Sequence, residues 1–185
     1  MQNMETTING IDTNGLKEVM KEVLQLPEKG KVGFQVSTRW QGGTRTEAQV
    51  EGFEIGGDHV ARKFTIPSDE PFELLGGNTA PNPQELLMAA LNACMAVGYV
   101  TGCATKGIEL ESLEIDTQGE LDLRGFLNLS ESVKPGYEQI VQTVRIKGSG
   151  TPEQFLEVHK AVLATSPNYW NVTQPIRVRP RLVVE

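Results

Sequence analysis

The segment from Pro83 to Lys106-Gly107 constrains the fold most. It carries Leu86, Leu87, Met88, Ala89, Ala90, Leu91, Ala93, Met95, Val97 and Val100, so apolar side chains fall almost all round a helical wheel. Proline suits a first helical position and glycine a stop, which predicts one long helix ending near Thr105. A helix without a polar face has to be buried in a core or an interface. Asn92 and small polar residues interrupt its apolar run, so the expectation is a core helix rather than a membrane span.

Other elements supply the cover. Leu16, Val19, Met20, Val23 and Leu24 recur at helical steps, predicting an amphipathic helix capped near Thr13 or Asn14 and stopped by Pro27. Residues 1–12 read as a loose polar leader. The period then falls to two. Val32, Phe34 and Val36, then Ala48, Val50 and Phe53, then Val60 to Ile66, separated at Gly42-Gly43 and Gly56-Gly57, predict a three-stranded antiparallel meander. Residues 67–83, rich in Pro, Gly and Asn, are a loop. Leu110, Leu113 and Ile115, and after Pro135-Gly136 Ile140, Val144 and Ile146, read as strands. Thr151-Pro152-Glu153 starts a helix that ends before Pro167. A final strand is expected over Ile176 to Val184. The fold class is α+β, antiparallel strands around a long buried central helix, with residues 1–29 an N-terminal extra and 30–185 the main domain.

The chain has 185 residues, 38% of them hydrophobic, enough for one such domain. Its 17 basic residues against 24 acidic ones give a net charge of −7. No basic run exceeds Arg62-Lys63, which argues against nucleic acid or an anionic membrane as partner. The start, MQNMETTING, has neither a basic nor an apolar leader region, so no secretory signal is expected. With two cysteines, a reducing cytoplasm is the default compartment, and the sequons at Asn128 and Asn171 are chance matches.

Cys94 and Cys103 stand nine residues apart on one predicted helix, on opposite faces and roughly 13 Å apart along the axis. They cannot bridge. His59 and His159 lack metal-ligand spacing, and no phosphate-cradling glycine motif or G-x-S-x-G elbow occurs. No cofactor is implied. On spacing alone, Cys94 reads as a small buried hydrophobe.

The run Asn82-Pro83-Gln84-Glu85-Leu86-Leu87-Met88-Ala89-Ala90-Leu91-Asn92-Ala93-Cys94 resembles the signature helix of the OsmC/Ohr family, the osmotically induced and organic-hydroperoxide-resistance proteins. The order of elements over residues 30–185 is similar as well. The resemblance implies an OsmC/Ohr-like fold forming an intertwined homodimer, and a thiol peroxidase acting on organic hydroperoxides. In it a reactive cysteine becomes a sulfenic acid, and an arginine from the first strand pair activates the thiol. Cys94 matches the cysteine. Arg45 best matches the arginine, with Arg39 as a competing alignment. Two positions depart from the pattern. The family's glutamate after the proline is Gln84 here, and Glu85 is one residue on, turned by about 100°. Ser166-Pro167 stands where a resolving cysteine-proline is expected.

An oxidised Cys94 would therefore need an external thiol reductant. The expected function is a one-cysteine, thiol-dependent hydroperoxide reductase using Cys94 and Arg45, with Gln84, Glu85 and Ser166 in support. The alternative is a non-peroxidase dimer of the same fold that binds a small apolar ligand or acts as a redox sensor. His159 reads as a surface residue, Tyr169 and Trp170 as core packing or a pocket wall, and Asp58-His59 as part of a turn.

Overall fold

Capping chemistry sets the first helix. In the computed structural model, which describes residues 7–184, the Asp12 carboxylate accepts from the backbone N–H groups of Asn14 and Gly15 and caps α1 (Thr13–Gln25). The cap therefore lies just ahead of the Thr13 or Asn14 expected. Before it, β1 (Thr7–Ile8) and β2 (Ile11–Asp12) pair across Asn9-Gly10, both at positive φ. Asn-Gly favours this tight turn. The leader expected to be loose is thus a hairpin from Thr7 onward, and its first six residues lie outside the described ones.

The chain divides into two compact units, residues 1–89 and 90–185. In the first, β3 (Val32–Phe34) and β4 (Ser37–Trp40) both pair antiparallel with β5 (Thr46–Ile55), and β6 (Asp58–Ser68) pairs with β5 as well. β3 and β4 are the two halves of the first strand of the predicted meander, interrupted at Gln35-Val36. The β5–β6 register shifts between Val50 and Gly52. At Gly52 a Cβ would come within 2.5 Å of the His59 ring, so the close approach needs glycine. The 67–83 loop contains a short 3-10 turn, Phe72–Leu74. It ends where Asn82 and Glu85 exchange side-chain and backbone hydrogen bonds at 2.8 Å, a reciprocal cap that starts α2 (Pro83–Thr105).

In the second unit Leu91, Met95, Tyr99 and Cys103, four residues apart, form the buried stripe of α2. They pack with Val158 and Val162 of α4 (Pro152–Thr165) and with the inner faces of β7 (Leu110–Gly119) and β8 (Ile140–Gly148), an antiparallel pair. Gly98 and Gly102 face Val162 and Val158, where an added Cβ would come to 3.2 and 3.1 Å. These two glycines bring the helices close. α3 (Leu123–Phe126) and α5 (Pro167–Thr173) complete the unit, and Thr151 and Gln154 form the predicted cap of α4.

Two expectations are corrected. By length and composition α2 suffices to cross a membrane. Asn92 does not break it, because the amide is satisfied sideways: its Nδ2 donates to the Ile115 carbonyl, and its Oδ1 accepts from Thr117 Oγ1 and Gln142 Nε2. The stripe packed on α4 and the sheet is that of a core helix, although Val97 on the other side is 66% exposed. The second correction concerns the C-terminus. Residues 176–184 have the alternation of a strand but form none, because no neighbouring strand pairs with them in the single chain.

Candidate functional site

Cys94 lies mid-way along α2, half-buried, with Cys103 fully buried on the opposite side, and both thiols are free. Burial pushes the Cys103 thiol up, which favours its inert, protonated form. The neighbour of Cys94 is Ser166, 72 residues away in sequence, whose Oγ donates to Cys94 Sγ at 3.3 Å. Local chemistry fixes Ser166. Its N–H closes α4 onto the Val162 carbonyl, and its hydroxyl also accepts from the Tyr169 N–H and caps α5, with Pro167 at the first helical position. The side chain is buried, at 6% exposure. Asn168 ties the same corner to α2 through the Ala90 carbonyl at 2.8 Å.

Arg45 lies in the first unit, in the turn that joins β4 to β5. Its N–H donates to the Gly42 carbonyl, its carbonyl accepts from Gln41 N–H, and its guanidinium donates to the Gln41 carbonyl at 3.2 Å. Gly42 and Gly43 take the positive φ values that the turn requires, 90° and 59°. Arg39 lies in β4, exposed, opposite Glu47. Glu85 is engaged in the α2 cap, and Gln84 is half-buried beside it.

A group that the sequence reading passed over organises this part of the first unit. Asp69 is 1% exposed, and its carboxylate accepts five hydrogen bonds: from Thr44 Oγ1 at 2.6 Å, from Thr79 Oγ1 at 2.7 Å, and from the backbone N–H groups of Glu70, Gly77 and Thr79. The Thr44 and Thr79 hydroxyls, followed by the Thr79 and Gly77 N–H groups, hold it well below the usual carboxylate range against the opposing effect of burial. The available signal was an Asp beside a Gly- and Thr-rich loop, where carboxylates bond neighbouring backbone N–H groups.

In the second unit Tyr99 hydrogen-bonds His159 Nδ1, and the two rings stack with centroids 6.0 Å apart. Burial pushes the Tyr99 phenol up to about 12. His159 is thus partly buried and partnered rather than a free surface residue. It borders an open cavity of about 570 Å³ with walls from Ile140, Val144, Phe155, Leu163 and Tyr169. Trp170 is mostly exposed. Asp58 and His59 begin β6 and look to different partners, Lys29 at 3.7 Å and Glu54 at 2.7 Å, so they form no catalytic pair. Among the described residues no group of three or more His, Cys, Asp or Glu is placed to hold a metal ion.

The comparisons bear on this arrangement. No curated protein matches the chain. An OsmC-like protein of Mycoplasma pneumoniae shares the fold at a TM-score of 0.59 and 14% identity, over 76% of this chain and 86% of the other. An OsmC-like protein of unknown function from Vibrio cholerae does so at 0.51 and 16%, over 74% and 90%. The family model described as OsmC-like protein matches residues 76–181, more than half of the chain, so this chain belongs to the OsmC-like family.

Proposed function

We propose that this chain is a thiol-dependent hydroperoxide reductase of one-cysteine type. The observation that carries the reading is the buried Ser166 hydroxyl donating to Cys94 Sγ at 3.3 Å. The Cys94 thiolate attacks the terminal oxygen of ROOH, the O–O bond breaks, and the alkoxide takes a proton and leaves as alcohol. Cys94 is left as a sulfenic acid. Arg45, the match to the family's arginine, is the residue we assign to polarise the peroxide. Serine forms no disulfide, so an external thiol attacks the sulfenic sulfur and expels water. A second thiol then displaces Cys94 from the mixed disulfide, giving an external disulfide and the starting thiolate.

The working form is a homodimer in a reducing, cytoplasmic setting. Val97 at 66% exposure and Leu87 at 42% leave α2 with an uncovered apolar side, and a second copy is the partner that covers it. The test is a stoichiometric one. Reduced protein mixed with one equivalent of cumene hydroperoxide should yield one equivalent of alcohol and lose one titratable thiol. Alcohol formation unchanged in Cys94→Ser contradicts the reading. A second reading, a dimer binding a small apolar ligand, draws support from the apolar walls of the cavity at His159. Retention of an apolar probe by a protein whose Cys94 ignores peroxide would favour it.

A further inference from the structure

We propose that Asp69 is a positioning residue for Arg45, acting through the Thr44 hydroxyl; the consequence for catalysis rests on the hydroperoxide-reductase reading above. The β5–β6 ladder ends at the Thr46–Ser68 pair, so Arg45 directly precedes its last paired residue on one strand and Asp69 directly follows it on the other. An acid facing an arginine ordinarily forms an ion pair. Here it does not. Asp69 Oδ1 takes Thr44 Oγ1 and Glu70 N–H, and Oδ2 takes Gly77 N–H, Thr79 N–H and Thr79 Oγ1. Five uncharged donors occupy the carboxylate, and among the described residues the guanidinium of Arg45 donates to the Gln41 carbonyl.

The arrangement does two things together. It anchors the Gln41–Arg45 turn, whose other hydrogen bonds stay local, from Arg45 and Gln41 to one another and from Trp40 Nε1 of β4 to the Gly43 carbonyl at 2.8 Å. It also spends the carboxylate on neutral donors, so the turn that carries Arg45 is anchored without an ion pair between Asp69 and Arg45. A guanidinium kept in this way remains free to meet an anionic or polarised group, which is what activating a thiolate and a peroxide requires. The same carboxylate ties down the Glu70–Thr79 loop. Ser68 Oγ and Asp69 N–H bond the Pro81 carbonyl, just before the Asn82 cap of α2. The turn that carries the arginine and the start of the cysteine helix thus share one buried anchor.

Thr44→Val separates the positioning role from general loop stability, because it deletes the link to the turn and leaves the other four bonds of Asp69. The assay is the second-order rate of Cys94 oxidation by cumene hydroperoxide, with amide hydrogen exchange read in parallel on full-length protein. Thr44→Val should slow oxidation about tenfold, and Thr44→Ser should stay within about twofold of wild type. In an Arg45→Ala background Thr44→Val should change nothing further, since the residue it positions is gone. Exchange should quicken over Gln41–Arg45 in Thr44→Val and over both the turn and the Glu70–Thr79 loop in Asp69→Asn. An Arg45→Ala variant slowed tenfold beside an unaffected Thr44→Val overturns the positioning role and leaves the reductase reading intact. If Arg45→Ala oxidises at the wild-type rate, Arg45 has no catalytic part and the proposal falls with it. A wild type inert to peroxide removes the reductase reading alone. Exchange in the turn then decides the anchoring, and unchanged exchange in Thr44→Val overturns it.

Discussion

Replacing Ser166 by cysteine should convert the site into a disulfide. The Ser166 oxygen lies 3.3 Å from Cys94 Sγ, about 1.2 Å more than an S–S bond. The longer C–S bond closes part of that gap, and a small side-chain rotation closes the rest. Ser166 is fixed at the junction of α4 and α5, and Cys94 on a helix packed against the same core, so both partners start in place. Residues 94 and 166 are 72 apart, and tying them together restricts the unfolded chain by about 4 kcal/mol on the loop-entropy model. For a domain of this size that corresponds to a rise in melting temperature on the order of 10 °C. The assay is intact-mass spectrometry after mild oxidation, with thermal unfolding followed with and without reductant. Loss of two hydrogens, mapped to a cross-linked peptide pair that joins Cys94 to the thiol introduced by Ser166→Cys, together with a reductant-sensitive rise in melting temperature, is the expected result. Natively folded, oxidised Ser166→Cys protein that still titrates with all its thiols would refute the adjacency of Cys94 and Ser166. A disulfide formed without any stabilisation would refute the entropic reasoning instead.

Three further outcomes are expected. Met95 is fully buried between α4 and the β7–β8 pair, so Met95→Ala should cost about 2–5 kcal/mol in denaturant unfolding, and a cost below about 1 kcal/mol would contradict that core. The folded-state pKa of Asp69 is depressed, so its contribution to stability is complete above the ordinary Asp range and is lost as pH falls through the folded value. The stability gap between wild type and Asp69→Asn, measured by denaturant melts, should stay constant above about pH 5 and narrow below about pH 4; a gap that widens with acid would reverse the assignment. Val97→Asp places a charge on the uncovered side of α2 and should give a monomer by light scattering where wild type is expected to give a dimer, while a dimer unchanged in Val97→Asp would locate the interface elsewhere.

The helices were the most legible part of the sequence. A 3.6-residue period with a strong cap fixes α1, α2 and α4 locally, and the Thr151-Pro152 start appears where it was read. The meander was equally clear from its period of two. Residues 176–184 show where such patterns stop being sufficient: alternation reports strand propensity, but a strand also needs a neighbour. The site was legible only in part. The approach of Ser166 to Cys94 spans 72 residues, a separation that no periodicity encodes, and the resemblance alone pointed to that position. Asp69 and Tyr99 were missed because burial, not sequence, makes them significant. An acid in a loop and a tyrosine in an apolar helix look ordinary until each is found buried with its hydrogen bonds satisfied.

Peroxide either oxidises Cys94 quickly or it does not, and intact mass separates the two cases. Reduced wild type, Cys94→Ser and Cys103→Ser would each be given a brief excess of cumene hydroperoxide with a sulfenic-acid trap present, then weighed intact. One trap adduct is expected within seconds in wild type and in Cys103→Ser, and none in Cys94→Ser. A wild-type mass unchanged after minutes in excess peroxide would contradict it.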